Sequence, residues 1–322
     1  MPTSNAHPVI LVIEDEHLED LDLYRREILA VAPGATVLAA TTPAEALRHA
    51  ADMTVLVGKA HSIGRELIAA APQLAWIHSL TTGIDAILAA QPRREILITT
   101  ARGVHGPQMS ELAFLLMLTL VRDFRRVLHD QQARHWNKRP QALLYGKTIG
   151  IVGVGAIALE LALRCKAFGM TTLGVSDGVK QAAHFDEIQP RSSLVSVAGR
   201  VDILLLLVPL KPDTRHMINA TVLQALRPAA WLVNLARGPV VDEAALIEAL
   251  RARRFAGAAL DVFETEPLPA ESPLWSLPNV IVTPHIGGLS AIYGQQNVPI
   301  LVENLRAWVA GDVGAMRNRV ER

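Results

Sequence analysis

The stretch Ile149-Gly150-Ile151-Val152-Gly153-Val154-Gly155-Ala156-Ile157-Ala158 decides the fold. Ile149, Ile151 and Val152 are β-branched and apolar and read as a buried strand, while the alanine- and leucine-rich run at residues 159–168 reads as a helix. Between them stands G-x-G-x-x-A, in the strand-turn-helix setting that a dinucleotide pyrophosphate requires. Gly153 permits the tight turn and Gly155 lets the backbone come close to a phosphate. Ala158, where a third glycine is common, is small enough for the helix to pack on the strand. Ala156 and Ile157 open that helix, so their N–H groups and the positive dipole end face the phosphates. Glycines also mark ordinary turns, and it is the flanking strand and helix that carry the reading.

The following strand, Thr172-Leu173-Gly174-Val175, leads to the residue that meets the adenosine ribose. Ser176 stands there, Asp177 comes one later, and the nearest base, Lys180, lies further along a loop. An acid favours the free ribose hydroxyls of NAD; a simple turn through Asp177 and Gly178 accounts for the same letters, so NADP stays open.

Further outward, short Val/Ile/Leu runs alternate with helical patterns, as parallel strands with crossover helices do. Strands are predicted at residues 9–13, 36–39, 54–57, 76–78, 96–99, 148–152, 171–175, 203–208, 231–235, 257–260 and 280–283. The fold class is therefore α/β, with two doubly wound parallel sheets. A Gly/Pro-punctuated turn at residues 103–107 precedes one long helical pattern, residues 109 to about 135, and sets a boundary. The last helical pattern, residues 291–309, is read as returning to the first domain. This gives a discontinuous domain of residues 1–105 and 290–322 around a second of residues 106–289. The opening run Val9-Ile10-Leu11-Val12-Ile13-Glu14-Asp15-Glu16 has a rival reading as a phosphoacceptor receiver. A receiver needs an aspartate at the end of its third strand, and here that strand runs into Gly58-Lys59.

Bulk properties narrow the classes. With 31 basic and 31 acidic residues and no long basic run, nothing draws the chain to a phosphate backbone or an anionic membrane, so no nucleic acid or membrane partner is expected. The apolar run Leu112 to Val121, closed by Glu111 and Arg122, is too short to span a bilayer. No secretory leader is visible in Met1 to His7, and the single cysteine, Cys165, cannot form an internal disulfide. A reducing, cytoplasmic location is expected. His61, His78, His105 and His129 show no metal-ligand spacing and are read as structural; no metal is implied.

Three blocks in the second half are more specific. Val233-Asn234-Leu235-Ala236-Arg237-Gly238-Pro239-Val240-Val241-Asp242-Glu243, Ala259-Leu260-Asp261-Val262-Phe263-Glu264-Thr265-Glu266-Pro267-Leu268 and Val282-Thr283-Pro284-His285-Ile286-Gly287-Gly288 resemble the signature blocks of the D-isomer-specific 2-hydroxyacid dehydrogenase family. With the glycine turn, Thr100-Ala101-Arg102-Gly103-Val104 and Leu207-Val208-Pro209-Leu210, the likeness covers nearly the whole chain. It implies a Rossmann-type cofactor domain beside a flavodoxin-like substrate domain. It also implies a hydride passed between nicotinamide and a small 2-oxo or 2-hydroxy acid such as glyoxylate or hydroxypyruvate, and a homodimer that uses the helical face of residues 112–121 as core or interface.

Chemical need agrees with what the resemblance assigns. Reducing a 2-oxo acid takes a grip on the carboxylate, a polariser of the ketone and an acid for the new alkoxide. The fixed, planar cation of Arg237 suits the first two tasks. His285 suits the third, with Glu266 accepting a hydrogen bond from its other ring nitrogen and fixing the tautomer. Asp261 matches the residue that meets the nicotinamide carboxamide, or else caps a turn. Val208, Pro209, Leu235, Ala236 and Gly288 are the further cofactor positions. Leu80, Thr81, Thr82 and Gly83 match the substrate loop, although the same letters make an ordinary turn. Taken singly, Arg237, Glu266 and His285 each have a structural account as surface or loop residues; their common place just after predicted strands favours catalysis. A dinucleotide-sensing regulator on the same fold is the alternative, and no appended amino-acid-sensing domain is expected after Arg322.

Overall fold

The computed structural model describes residues 7–321, so most of the N-terminal segment read above for a leader lies outside the described part. The chain divides into two compact units, Met1–Val104 with Leu289–Arg322, and His105–Gly288.

The first unit carries strands β1 (Val9–Ile13), β2 (Thr36–Ala40), β3 (Val55–Gly58), β4 (Trp76–Ser79) and β5 (Leu97–Thr100) in an all-parallel sheet of order β2-β1-β3-β4-β5. That is the flavodoxin-like order. Helices α1 (Asp20–Val31), α2 (Pro43–Leu47), α3 (Arg65–Ala69) and α4 (Asp85–Ala89) fall between successive strands. Both faces of the sheet are covered, which is why β1 reads as an unbroken apolar run: Leu11 and Ile13 pack into one core, Ile10 and Val12 into the other. The chain's last helix, Tyr293–Val309, supplies Leu301, Leu305 and Trp308 to that second core. The segment after it runs beside β5, where Val320 N–H donates to Ile98 O at 2.9 Å. These contacts make the unit discontinuous in sequence. At the end of β3, Lys59 is fully buried, paired with buried Glu14 and with Glu16 at 2.9 Å; the cation stands where a receiver would need its carboxylate.

The second unit holds β6 (Thr148–Val152), β7 (Thr171–Val175), β8 (Glu187–Gln189), β9 (Ile203–Leu206), β10 (Trp231–Asn234), β11 (Gly257–Leu260) and β12 (Val280–Val282). All pair in parallel, in the order β12-β11-β10-β9-β6-β7-β8. The order reverses between β6 and β9, the switch point where a doubly wound sheet opens a crevice for a ligand. The helices are α5 (Gly106–Val121), α6 (Phe124–Gln132), α7 (Ala156–Ala167), α8 (Leu194–Ala198), α9 (Ala220–Ala225) and α10 (Glu243–Arg251), with the terminal helix becoming α11.

Two sequence expectations need correction. The single helix expected over residues 109–135 is two, because Asp123 takes a left-handed conformation (φ 47°) and ends the ladder between α5 and α6. Edge strand β8 was not anticipated: Glu-Ile-Gln is short, polar and half-buried, with no apolar run to reveal it.

Candidate active site

Because every strand of the second unit runs the same way, the loops after β6, β7, β9, β10, β11 and β12 all emerge at one edge of the sheet. Gly153 has φ 99°, and a Cβ there would stand 2.8 Å from Val208 N, so the turn after β6 lies directly against the loop after β9. Gly155 is the N-cap of α7, with no side-chain cap, and a Cβ on it would meet nothing within 4 Å. The first-turn N–H groups, those of Ala156 and Ile157 among them, thus begin beside open space with no side chain capping them, which suits a pyrophosphate. Buried Val208 and exposed Pro209 follow β9 on the same edge.

The loop after β10 places Arg237. Buried Asn234 grips it twice: its carbonyl accepts from Ala236 N–H at 3.0 Å, and its amide donates to Arg237 O at 3.2 Å. Leu235 and Ala236 are buried, and Arg237 is half-buried with its guanidinium donating to Ala236 O at 2.6 Å. The next residue has to be glycine. A Cβ on Gly238 would fall 1.8 Å from Phe263 C, so this loop presses onto the one after β11.

That neighbouring loop carries Glu266. Its Oε1 accepts from Phe263 N–H at 3.0 Å and its Oε2 lies 2.7 Å from His285 Nδ1. A carboxylate in this contact only accepts, so the proton sits on Nδ1 and Nε2 is left for proton exchange. Burial pulls the Glu266 carboxyl up. The hydrogen bonds from His285 and Phe263 and the charges of His285 and Arg237 outweigh it and hold the carboxyl below its ordinary value. The guanidinium, carboxylate and imidazole therefore converge.

His285 is held in the left-handed region, φ 53°. For a non-glycine residue this costs roughly 1–3 kcal/mol, which the surroundings have to impose. Asp261 does so: its Oδ1 accepts from Thr283 Oγ1 at 2.6 Å and Ile286 N–H at 3.0 Å, and its Oδ2 from Gly287 N–H at 2.9 Å. His285 N–H in turn donates to Asp261 O at 2.8 Å. Burial raises the Asp261 carboxyl above its ordinary value against these bonds. Three donors thus converge on this buried carboxylate.

Sequence reading took His105 as structural and passed over Arg191. His105 is buried, its Cδ2 lies 3.4 Å from where a Gly288 Cβ would be, and burial together with the Arg237 charge pushes it down to about 4. Arg191, and not Lys180, is the base that meets Asp177: its backbone N–H donates to Asp177 Oδ1 at 2.9 Å and its Nε to Oδ2. Nothing in a separation of 14 residues announces that pair. Ser176 Oγ accepts from Val179 N–H at 3.2 Å.

The loop Leu80-Thr81-Thr82-Gly83 belongs to the first unit. Leu80 N–H donates to Gly58 O at 2.9 Å, Leu80 O accepts from Tyr293 OH at 2.6 Å, and Thr81 Oγ1 donates to Gly83 O at 2.7 Å. Thr81 N–H is turned to Ser79 Oγ at 3.2 Å.

A glycine turn beside open space, with an arginine and a carboxylate-held histidine on the same sheet edge, is the arrangement that a dinucleotide-dependent oxidoreductase needs. The comparisons narrow it. Residues 114–287 match the family model described as D-isomer specific 2-hydroxyacid dehydrogenase, NAD binding domain. A glyoxylate reductase of Thermococcus kodakarensis is 36% identical over 280 residues, 83% of each chain. A D-3-phosphoglycerate dehydrogenase of Methanocaldococcus jannaschii is 33% identical over 277 residues, 84% of this chain, which spans only about half (53%) of that longer relative. Among solved structures, a D-isomer specific 2-hydroxyacid dehydrogenase family protein from Aeromonas salmonicida superimposes with TM-score 0.88 at 32% identity, covering 98% of this chain and 99% of that one. A glyoxylate/hydroxypyruvate reductase of Sinorhizobium meliloti bound to NADP (TM-score 0.84, 25% identity, 97% and 98% covered) and a D-lactate dehydrogenase of Aquifex aeolicus bound to NAD and lactic acid (0.82, 25%, 97% and 98%) share the fold. The chain belongs to the D-isomer specific 2-hydroxyacid dehydrogenase family. It is an NAD(P)-dependent oxidoreductase of 2-oxo and 2-hydroxy acids.

Proposed function

We propose that this enzyme reduces a small 2-oxo acid, glyoxylate or hydroxypyruvate, with the second unit binding the dinucleotide and the first serving the substrate. The observation that carries the reading is the 2.7 Å His285–Glu266 contact beside a guanidinium whose charge Glu266 feels. Arg237 holds the carboxylate and polarises the ketone. His285 delivers a proton from Nε2 to the oxygen of the second carbon, while Glu266 keeps the proton on Nδ1 and balances the ring's charge. The bound dinucleotide supplies the hydride. Gly153, Gly155, Ala156 and Ile157 receive its pyrophosphate; Ser176 and Asp177 its adenosine ribose; Val208, Pro209, Leu235, Ala236 and Gly288 flank it; and Asp261 meets its carboxamide. Leu80, Thr81, Thr82 and Gly83 keep the role of substrate loop. The acid at Asp177 supports NAD as the preferred cofactor.

Two coarser features go with this reading. A homodimer is supported by the apolar side chains left in the open between residues 115 and 145 of the second unit, among them Leu115 (60% exposed), Phe124 (47%) and Trp136 (94%). A reducing, cytoplasmic setting fits a lone buried Cys165; among the described residues no helix is long and apolar enough to cross a membrane.

The test is to mix purified protein with NADH or NADPH and a panel of 2-oxo acids and follow the absorbance of the reduced nicotinamide. Turnover on glyoxylate or hydroxypyruvate, lost in His285→Ala while cofactor still binds, is the expected result. Tight cofactor binding with no turnover on any acid overturns it in favour of a dinucleotide sensor.

A further inference from the structure

Arg191 is held from two sides. Asp177, at the end of β7, takes its Nε and backbone N–H, and Asp213, in the loop after β9, takes Nη1 at 2.7 Å. The two acids come from different crossovers and are fastened together through this one guanidinium. They border a cavity of about 470 Å³ whose apolar wall includes Leu194, Met217 and Val222. A cavity with apolar side chains and a polar rim at the end of the second Rossmann strand suits a purine with its ribose.

We propose that Asp213 is a specificity-determining residue for the cofactor, acting by keeping Arg191 turned onto carboxylates and away from a 2′-phosphate. The inference rests on the dehydrogenase reading above and deepens it. An adenosine 2′-phosphate carries close to two negative charges near neutral pH and is ordinarily met by a free arginine fork. Here the fork is already engaged by two carboxylates, and the trio bears one net negative charge. A fork gripping the phosphate through Nη1 and Nη2 would draw Nη1 from Asp213 and bring the anion up against both acids. A 2′-hydroxyl makes no such demand; it donates to an Asp177 oxygen with Arg191 left in place. The three side chains are partly exposed, between 31% and 55%, so salt screens the effect but does not abolish it.

The assignment separates Asp213 from the bland role of a loop ion pair, which would affect both dinucleotides alike. The experiment measures dissociation constants of NADH and NADPH by nicotinamide fluorescence, for the wild type, Asp213→Asn and the double variant Asp177→Ser/Asp213→Asn, with a melting temperature for each as a check of folding. The wild type is expected to favour NADH by tenfold or more. Asp213→Asn should narrow the NADPH-to-NADH ratio severalfold, chiefly by tighter NADPH binding, and the double variant should invert it; high salt should shrink the differences. A wild type that prefers NADPH, or a ratio unmoved in Asp213→Asn, overturns the proposal while leaving the dehydrogenase reading intact. Binding of neither dinucleotide to the folded wild type overturns both.

Discussion

At the scale of the residue, His285 shows how a side chain is aimed. A histidine does not adopt φ 53° without being held, and the hold comes from Asp261, whose carboxylate collects three donors from the loop around it. Glu266 fixes the ring from the other side. Replacing Glu266 with Gln preserves the shape and the hydrogen-bond acceptor but removes the charge opposite the imidazole. Loss of kcat by roughly 10²-fold is expected, with the dinucleotide Kd little changed. Stopped-flow turnover beside a cofactor titration checks this, and a variant with wild-type kcat would remove Glu266 from the mechanism. His285 and Arg237 were legible from residue type and signature spacing. The supports, Asn234 and the lone pairs of Asp261, were not, because a buried amide or carboxylate declares its donors only once the chain is folded.

At the scale of the element, β4 carries a titratable group into the core. His78 is fully buried, with Nδ1 2.8 Å from Thr99 Oγ1, and burial pushes it down to about 3. Between pH 6.5 and about 3 the unfolded chain binds a proton that the folded chain refuses. Stability therefore falls as pH falls through that window, by up to about 1.4 kcal/mol per pH unit from this residue. His105, pushed down to about 4, adds to the slope in the same sense. In His78→Gln the decline in unfolding free energy between pH 6.5 and 4 should flatten. Urea titrations at several pH values decide it, and an unchanged slope would mean that His78 titrates normally. Elements were otherwise legible where burial imposes a pattern: the strands of two buried parallel sheets read as apolar runs. They were illegible where it does not. β8 is a polar edge, and the break at Asp123 has neither proline nor glycine to announce it.

At the scale of the whole molecule, the proposed dimer face is the feature open to direct test. Trp136 is 94% exposed, an unusual cost for the largest apolar side chain unless something covers it. Light scattering is expected to give a dimer for the wild type and a monomer for Trp136→Glu combined with Leu128→Glu. A wild-type monomer at micromolar concentration would contradict the assignment. Sequence alone determined the fold class and the chemistry on offer, since strand periodicity, the glycine turn and the identities of Arg237, Glu266 and His285 are local properties of the chain. Only the tertiary structure decided which groups work together. Parallel strands bring loops that are distant in sequence to one edge, and there Glu266 meets His285 across 19 residues and Arg191 meets Asp213 across 22, pairings that no local pattern encodes because the distance closes only through the sheet.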